Sequence, residues 1–271
     1  MIGYLLRRIA GTIPVILLIS LLVFLLIHMA PGDPADLILS PDASPQDIAA
    51  ARHRWGLDQP VWVQYLRFFV NMLKADFGTS FRYSDPVIRL IAERVPATIE
   101  LAFVALLVAL AVGVPLGVWA GAKPNSWIDN LGSVFGFFGI SMPSFWFAIM
   151  LILVVAGYLN LLPSSGRSTY GIAHGSDTGF YIIDGLISGN FRAAWDGFKH
   201  VIMPAIALGT NMMGIIMRVT RSSVLEVLHE DYVRTARAKG VTERGVLWRH
   251  VLRNALVPII TIVGLELGTL L

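Results

Sequence analysis

The segment Glu230-Asp231-Tyr232-Val233-Arg234-Thr235-Ala236-Arg237-Ala238-Lys239-Gly240 places five charged side chains in eleven residues of helix-competent sequence. Its chemistry is recognition, not catalysis, because no nucleophile stands beside a base and an orienting acid. Asp231 near the start and Arg237 with Lys239 near the end suit the helix dipole. Gly240 permits the left-handed turn that closes a helix. Apolar runs flank the segment, at 200–217 and from Ala255 onward. A polar helix between two such runs has no core of its own to enter. Ala236 and Ala238 leave its backbone approachable, so a soluble docking partner is expected. The bland alternative is a solvated helix held by its own charges.

A second set of candidates lies in the apolar runs themselves. Glu266 is ionisable and sits well inside the last run, where charge is costly and marks a functional hypothesis. Thr210 and Asn211 lie in the run before it. Together they suggest a polar path through the apolar runs, with Glu266 facing a cavity. Hydrogen bonds between helices are the competing use for the same groups. His28 and His200 are too far apart in sequence to claim as a metal pair. Met142, Met203, Met212, Met213 and Met217 read as packing residues. The chain has no cysteine, which removes thiol catalysis and thiolate metal sites. It has no Gly-x-x-x-x-Gly-Lys phosphate loop, so it is not expected to bind or hydrolyse ATP. No Ser/His/Asp or zinc-ligand spacing occurs. The chain is therefore not expected to be an enzyme by itself or to bind a cofactor.

These residues need elements that live in lipid. Of 271 residues, 55% are hydrophobic and 14% charged, against about 25% charged in soluble domains. The mean hydropathy is +0.68. One soluble core cannot hide that much apolar surface. The net charge of +3 is assigned to cytoplasmic loops, not to nucleic-acid binding. The run 9–29 is longer than the ~7–15 residues of a signal core, so it is expected to remain as a first span with a cytoplasmic N-terminus. Residues 31–34 stop it with two prolines. A short helix is expected to start at Ser44-Pro45-Gln46-Asp47. Residues 56–60 break the chain, and Val61–Leu73 carries Val61, Tyr65, Phe68, Phe69 and Met72 at amphipathic spacing, as a packing surface. Further spans are expected at 97–120, at 131–159 with an interruption at Ser141-Met142-Pro143-Ser144, at 200–217, and from Ala255. The last is still apolar at Leu271, which implies a sixth span beyond this chain. Residues 160–199 read as loop, and 218–254 as a polar helical region. Alternation puts 33–94 and 160–199 outside. It puts 218–254, with eight basic and four acidic residues, inside. The expected organisation is a first transmembrane helix over 1–30, an extracytoplasmic helical segment over 31–94, and a core over 95–271 with its polar arm at 226–250.

Several motifs in fixed order resemble one family. They are Tyr4-Leu5-Leu6-Arg7-Arg8, Ala30-Pro31-Gly32-Asp33-Pro34, Gly56-Leu57-Asp58-Gln59-Pro60, Asp76-Phe77-Gly78-Thr79-Ser80 and Pro96-Ala97-Thr98-Ile99-Glu100-Leu101. Met142-Pro143-Ser144-Phe145-Trp146, Arg218-Val219-Thr220-Arg221-Ser222-Ser223, the segment 230–240 and Arg249-His250-Val251-Leu252-Arg253-Asn254-Ala255-Leu256 complete the set. Across nearly the whole chain they resemble the peptide/nickel group of ABC-importer permeases, in particular the B-type subunit of dipeptide permeases. The resemblance implies an all-α polytopic membrane protein with a type I ABC importer transmembrane domain. It implies a homologous second permease subunit, two ATPase subunits holding ATP and Mg, and an extracytoplasmic substrate-binding protein. It also implies that the segment 230–240 is an EAA-type coupling segment seated in a groove of the ATPase. The general Glu-Ala-Ala…Gly pattern is matched only at Ala236 and Gly240, and Pro258 lies eighteen residues after Gly240. A nickel-complex or glutathione cargo fits the same family. A stand-alone channel or an intramembrane enzyme are readings from other classes.

Overall fold

A computed structural model describes residues 2–29, 44, 46, 49–50, 52–53, 56–80, 83, 85–173 and 178–271. The expected stop at 31–34, and residues 45, 47 and 48 of the expected helix start, lie outside the described residues. The chain divides into two units, Met1–Glu93 and Arg94–Leu271.

In the first unit, α1 (Ile2–Met29) is apolar on all sides and carries Pro14 within it. A helix without a polar stripe has no preferred buried face, and nearly all of α1 faces outward from the chain. The exception is Phe24. Its ring meets Tyr65 edge-on at 5.4 Å and Phe68 at 5.9 Å on α2 (Val61–Leu73). Ser20 Oγ and Tyr65 Oη lie 3.0 Å apart. His28 bridges the Phe24 carbonyl at 2.8 Å and Gln64 Oε1 at 3.0 Å. The aromatic stripe legible in 61–73 is thus packed against the first span.

The helix α3 (Val87–Ala122) begins before Arg94 and continues into the second unit, where it is followed by α4 (Trp127–Ser141) and α5 (Ser144–Tyr158), whose second half is π-helical. Then come α6 (Tyr181–Ile187), α7 (Phe191–Leu228), α8 (Asp231–Ala238) and α9 (Glu243–Leu270), the last with a π-helical stretch at Val246–Val251. Four helices, α1, α3, α7 and α9, are each long and apolar enough to cross a membrane. The pair α4 and α5 makes a fifth if counted as one bent span. The chain is therefore an all-α, multi-pass membrane protein. The interruption at 141–144 bends that pair by 102°, because Pro143 supplies no N–H and disfavours a helical residue before it.

Two expectations about extent are corrected. The helix expected from 97 begins at Val87 and runs through Pro96. The stretch 160–199, read as loop, contains α6 and the first nine residues of α7. Asn190 caps that start by accepting the Ala193 N–H at 3.1 Å. Arg192, Asp196 and Lys199 dilute the apolar signal there, yet Ala193, Ala194 and Asp196 are buried. At 38 residues, α7 is about 57 Å long, so it outruns a bilayer core of about 30 Å.

Glycine sets how closely helices approach α7. Gly113, Gly117 and Gly121 recur every four residues on α3, and a Cβ on any of them would fall within 2.9 Å of α7 atoms. A Cβ on Gly214 would stand 2.5 Å from the Gly136 carbonyl on α4. Backbone cannot yield as a flexible side chain can, so overpacking there costs about 1–3 kcal/mol or more. Gly214→Val is therefore expected to lower the yield of monodisperse protein by size exclusion in mild detergent. Gly264→Ala, with nothing within 4 Å of the added methyl, is expected to leave that profile unchanged.

Candidate docking arm and polar cavity

The arm begins where α7 ends. Glu230 is extended and precedes α8, and its carbonyl accepts the Val233 N–H at 3.0 Å. Val233 and Ala236, three apart and so on one face, enter a core with Val118, Val224, Val246, Val251, Ala255 and Ile259. Full burial of a valine contributes about 1.5–3 kcal/mol. This overturns the expectation that the arm has nothing of its own to pack into. It also removes Ala236 from the face a partner would touch. Asp231, Tyr232, Arg234, Thr235, Arg237, Ala238, Lys239 and Gly240 remain outside.

The end of α8 is a Schellman turn. Gly240 has φ +78, the Val241 N–H reaches the Ala236 carbonyl at 3.2 Å, and the Gly240 N–H reaches the Arg237 carbonyl at 2.9 Å. Val241 packs on the same core as Ala236. Arg237 donates two bonds to the Glu243 carboxylate, at 3.0 and 3.3 Å, tying α8 to the start of α9. Tyr232 Oη accepts from Asn254 Nδ2 at 2.8 Å. The arm is a short amphipathic helix pinned by its apolar side, with a mixed-charge surface held at fixed positions.

The second candidate set meets at the bend between α4 and α5. A cavity of about 370 Å³ is lined by Ile140, Ser141, Met142, Pro143 and Ser144 from the bend. Leu208, Asn211 and Met212 of α7 and Glu266, Thr269 and Leu270 of α9 complete it. Asn211 and Glu266, 55 residues apart in sequence, are thus brought together. Thr210 is not part of that lining. Its hydroxyl donates to the Ile206 carbonyl at 2.7 Å, and its backbone lies against Gly139.

The sequence reading passed over three buried acids, Asp129, Asp184 and Asp196, and the half-buried Glu100. Asp129 accepts two bonds from the Arg221 guanidinium, one of them at 2.8 Å, and a third from the Asn125 N–H at 2.9 Å. Ser126-Trp127-Ile128-Asp129 has capping-box spacing, which was the available signal. Arg221, 92 residues away, was not legible as its partner. Glu100 accepts from Arg167 at 3.2 Å and from the Ile182 N–H at 2.8 Å. Asp184 takes the Thr178 hydroxyl at 2.6 Å and the Gly179 N–H at 3.0 Å. Asp196 takes the Thr169 N–H and hydroxyl at 2.8 and 2.6 Å. His200, once weighed as half of a metal pair, bonds through Nδ1 to the Asp196 carbonyl at 2.8 Å.

Comparison with known proteins matches residues 113–271 to the family described as Binding-protein-dependent transport system inner membrane component. Residues 1–102 match Binding-prot-dependent transport system membrane comp, N-term. The chain is 44% identical over its whole length, and over 81% of the relative, to the Dipeptide transport system permease protein DppB of Alkalihalophilus pseudofirmus. It is 43% identical to the protein of that name from Escherichia coli, again over all of this chain and 81% of the relative. The Glutathione transport system permease protein GsiC of Salmonella paratyphi A is 38% identical over all of this chain and 79% of its own length.

Proposed function

Since the chain belongs to the family of binding-protein-dependent transport system inner membrane components, we propose that it is the permease subunit of an ATP-driven ABC importer, passing di- and oligopeptides across the bacterial cytoplasmic membrane. The observation that carries this reading is the 44% identity with a dipeptide permease over every residue of the chain. Its partners are a second homologous permease, two ATPase subunits that hold ATP and Mg, and an extracytoplasmic binding protein. The N-terminus is cytoplasmic. Residues 1–30 form the first span, 31–94 lie outside, and 95–271 form the core, with the coupling segment at 226–250.

In this reading α8 is the handle. The ATPase groove grips Asp231, Arg234, Thr235, Arg237, Ala238 and Lys239, which face outward. Val233 and Ala236 transmit the pull, because they are embedded among residues of α3, α7 and α9. Close-packed side chains move together rather than deform. The same two helices, α7 and α9, carry Asn211 and Glu266 to the cavity at the α4–α5 bend. A displacement of α8 therefore reaches the translocation path through continuous rigid elements, and alternating access follows from rocking them.

Copurification tests the assembly. Tagged chain, expressed with its neighbouring reading frames, is expected to bring down a Walker-motif ATPase and a second permease in mild detergent. Proteoliposomes of that complex, supplied with ATP and binding protein, are expected to accumulate a labelled dipeptide faster than labelled glutathione. Transport by this chain alone, without an ATPase, would instead identify a channel.

A further inference from the structure

We infer that the cavity at the α4–α5 bend holds the protonated amino end of a peptide in transit, with the Glu266 carboxylate as its counter-charge. The inference rests on the permease reading and names the chemistry of one point on its path. Among the described residues of the second unit, five acids are buried or half-buried. Glu100, Asp129, Asp184 and Asp196 each accept bonds from resident donors. Glu266 alone has no donor or cation on its carboxylate among the described residues, although Thr269 Oγ1 uses its backbone carbonyl at 2.7 Å. A charge taken out of water is costly unless it is paired. Four of these five partnerships are built in, and the fifth is open to a cavity.

The rest of the lining favours a cation with several N–H donors. Asn211 lines the cavity from α7 with an amide that can accept. The last carbonyls of α4 end at this cavity: the Met142 N–H bonds back to Phe138 at 3.0 Å, so those beyond it carry the negative end of the helix dipole. Ser141 and Ser144 add hydroxyl oxygens. A primary ammonium has three donors and meets this set with one strong charge-assisted bond and two neutral ones. No Lys or Arg lines the cavity; the first turn of α5, which starts at Ser144, brings a positive dipole end to the same bend, and the Glu266 carboxylate outweighs it as a full charge. The volume of about 370 Å³ lies within the range of small-ligand sites.

The natural absence of cysteine supplies a direct test. Thr269→Cys, exposed on the cavity rim, is introduced into the complete transporter in nanodiscs, and labelling by a small neutral thiol reagent is timed. Alanyl-alanine at about ten times its Kd is expected to slow labelling by about tenfold, and N-acetyl-alanyl-alanine at the same concentration not at all. Adding Glu266→Gln is expected to remove the protection, and Glu266→Asp to restore part of it. Equal protection by both peptides, or full protection with Glu266→Gln, overturns the inference while peptide uptake still upholds the permease reading. Loss of the permease pair on gel filtration with Glu266→Gln also overturns it, by showing that a cation of the second subunit is the resident partner. Absence of peptide uptake by the unsubstituted complex fails the permease reading itself, and this inference with it.

Discussion

Gly240→Pro is expected to reduce ATP-driven uptake by roughly a hundredfold while the chain still inserts and pairs. Proline fixes φ near −65° and has no N–H, whereas Gly240 sits at φ +78 and donates to Arg237. The Schellman turn cannot form, and a loss of about 3 kcal/mol at this turn unseats the handle. The lesion is local, because a side chain at Gly240 meets nothing within 4 Å. Gly240→Ala keeps the N–H and is strained only in φ, by about 1–2 kcal/mol, so it should retain partial uptake. Arg237→Glu separates docking from folding. Its partner Glu243 is well exposed, and an exposed pair contributes about 0–1 kcal/mol to stability. The melting temperature should stay close to that of the parent, while uptake and peptide-stimulated ATP hydrolysis fall. Proteoliposome uptake beside ATPase rates checks all three variants. Parental uptake in both Gly240→Pro and Arg237→Glu would remove docking from this arm.

Asp129→Ala is expected to be the most destabilising single change outside the glycine contacts. The Asp129 side chain is 4% exposed and that of Arg221 32%. Removing the carboxylate strands a guanidinium inside the helix packing, which costs about 3–5 kcal/mol for a buried pair. The lower end applies, since water reaches a third of the arginine. The Asn125 N–H loses its acceptor as well. Melting in detergent, followed by loss of monodisperse protein, should show a clear drop for Asp129→Ala. A smaller drop is expected for Asp129→Ala with Arg221→Leu, because no unpaired charge remains. Equal melting of the single and double variants would mean that the stranded guanidinium carries no cost.

How much of this was legible in advance depended on the range of the interaction involved. The Val61–Leu73 helix was readable to the residue, because its aromatic stripe and the Gly56-to-Pro60 break are local signals. The start of α7 was not. Its first turns are amphipathic and its cap is a single asparagine, so a search for apolar runs placed the boundary at His200. Thr210 and Asn211 looked equivalent as neighbours in one run. A helix turns about 100° per residue, so the structure sends one toward its own backbone and the other to a cavity.

The sequence by itself determined the solvent, the helical class, the family and the polar arm with its terminal glycine. Each of these follows from composition, from periodicity within a few turns, or from motifs in linear order. Only the tertiary structure decided which face of the arm is buried, that Arg221 answers Asp129, and that Asn211 and Glu266 share one chamber while the other buried acids are already answered. Asp129 and Arg221 are 92 residues apart, and Asn211 and Glu266 55. Close glycine contacts along α7 and the 102° bend bring them together, and no local rule of propensity or spacing encodes which distant residue stands opposite.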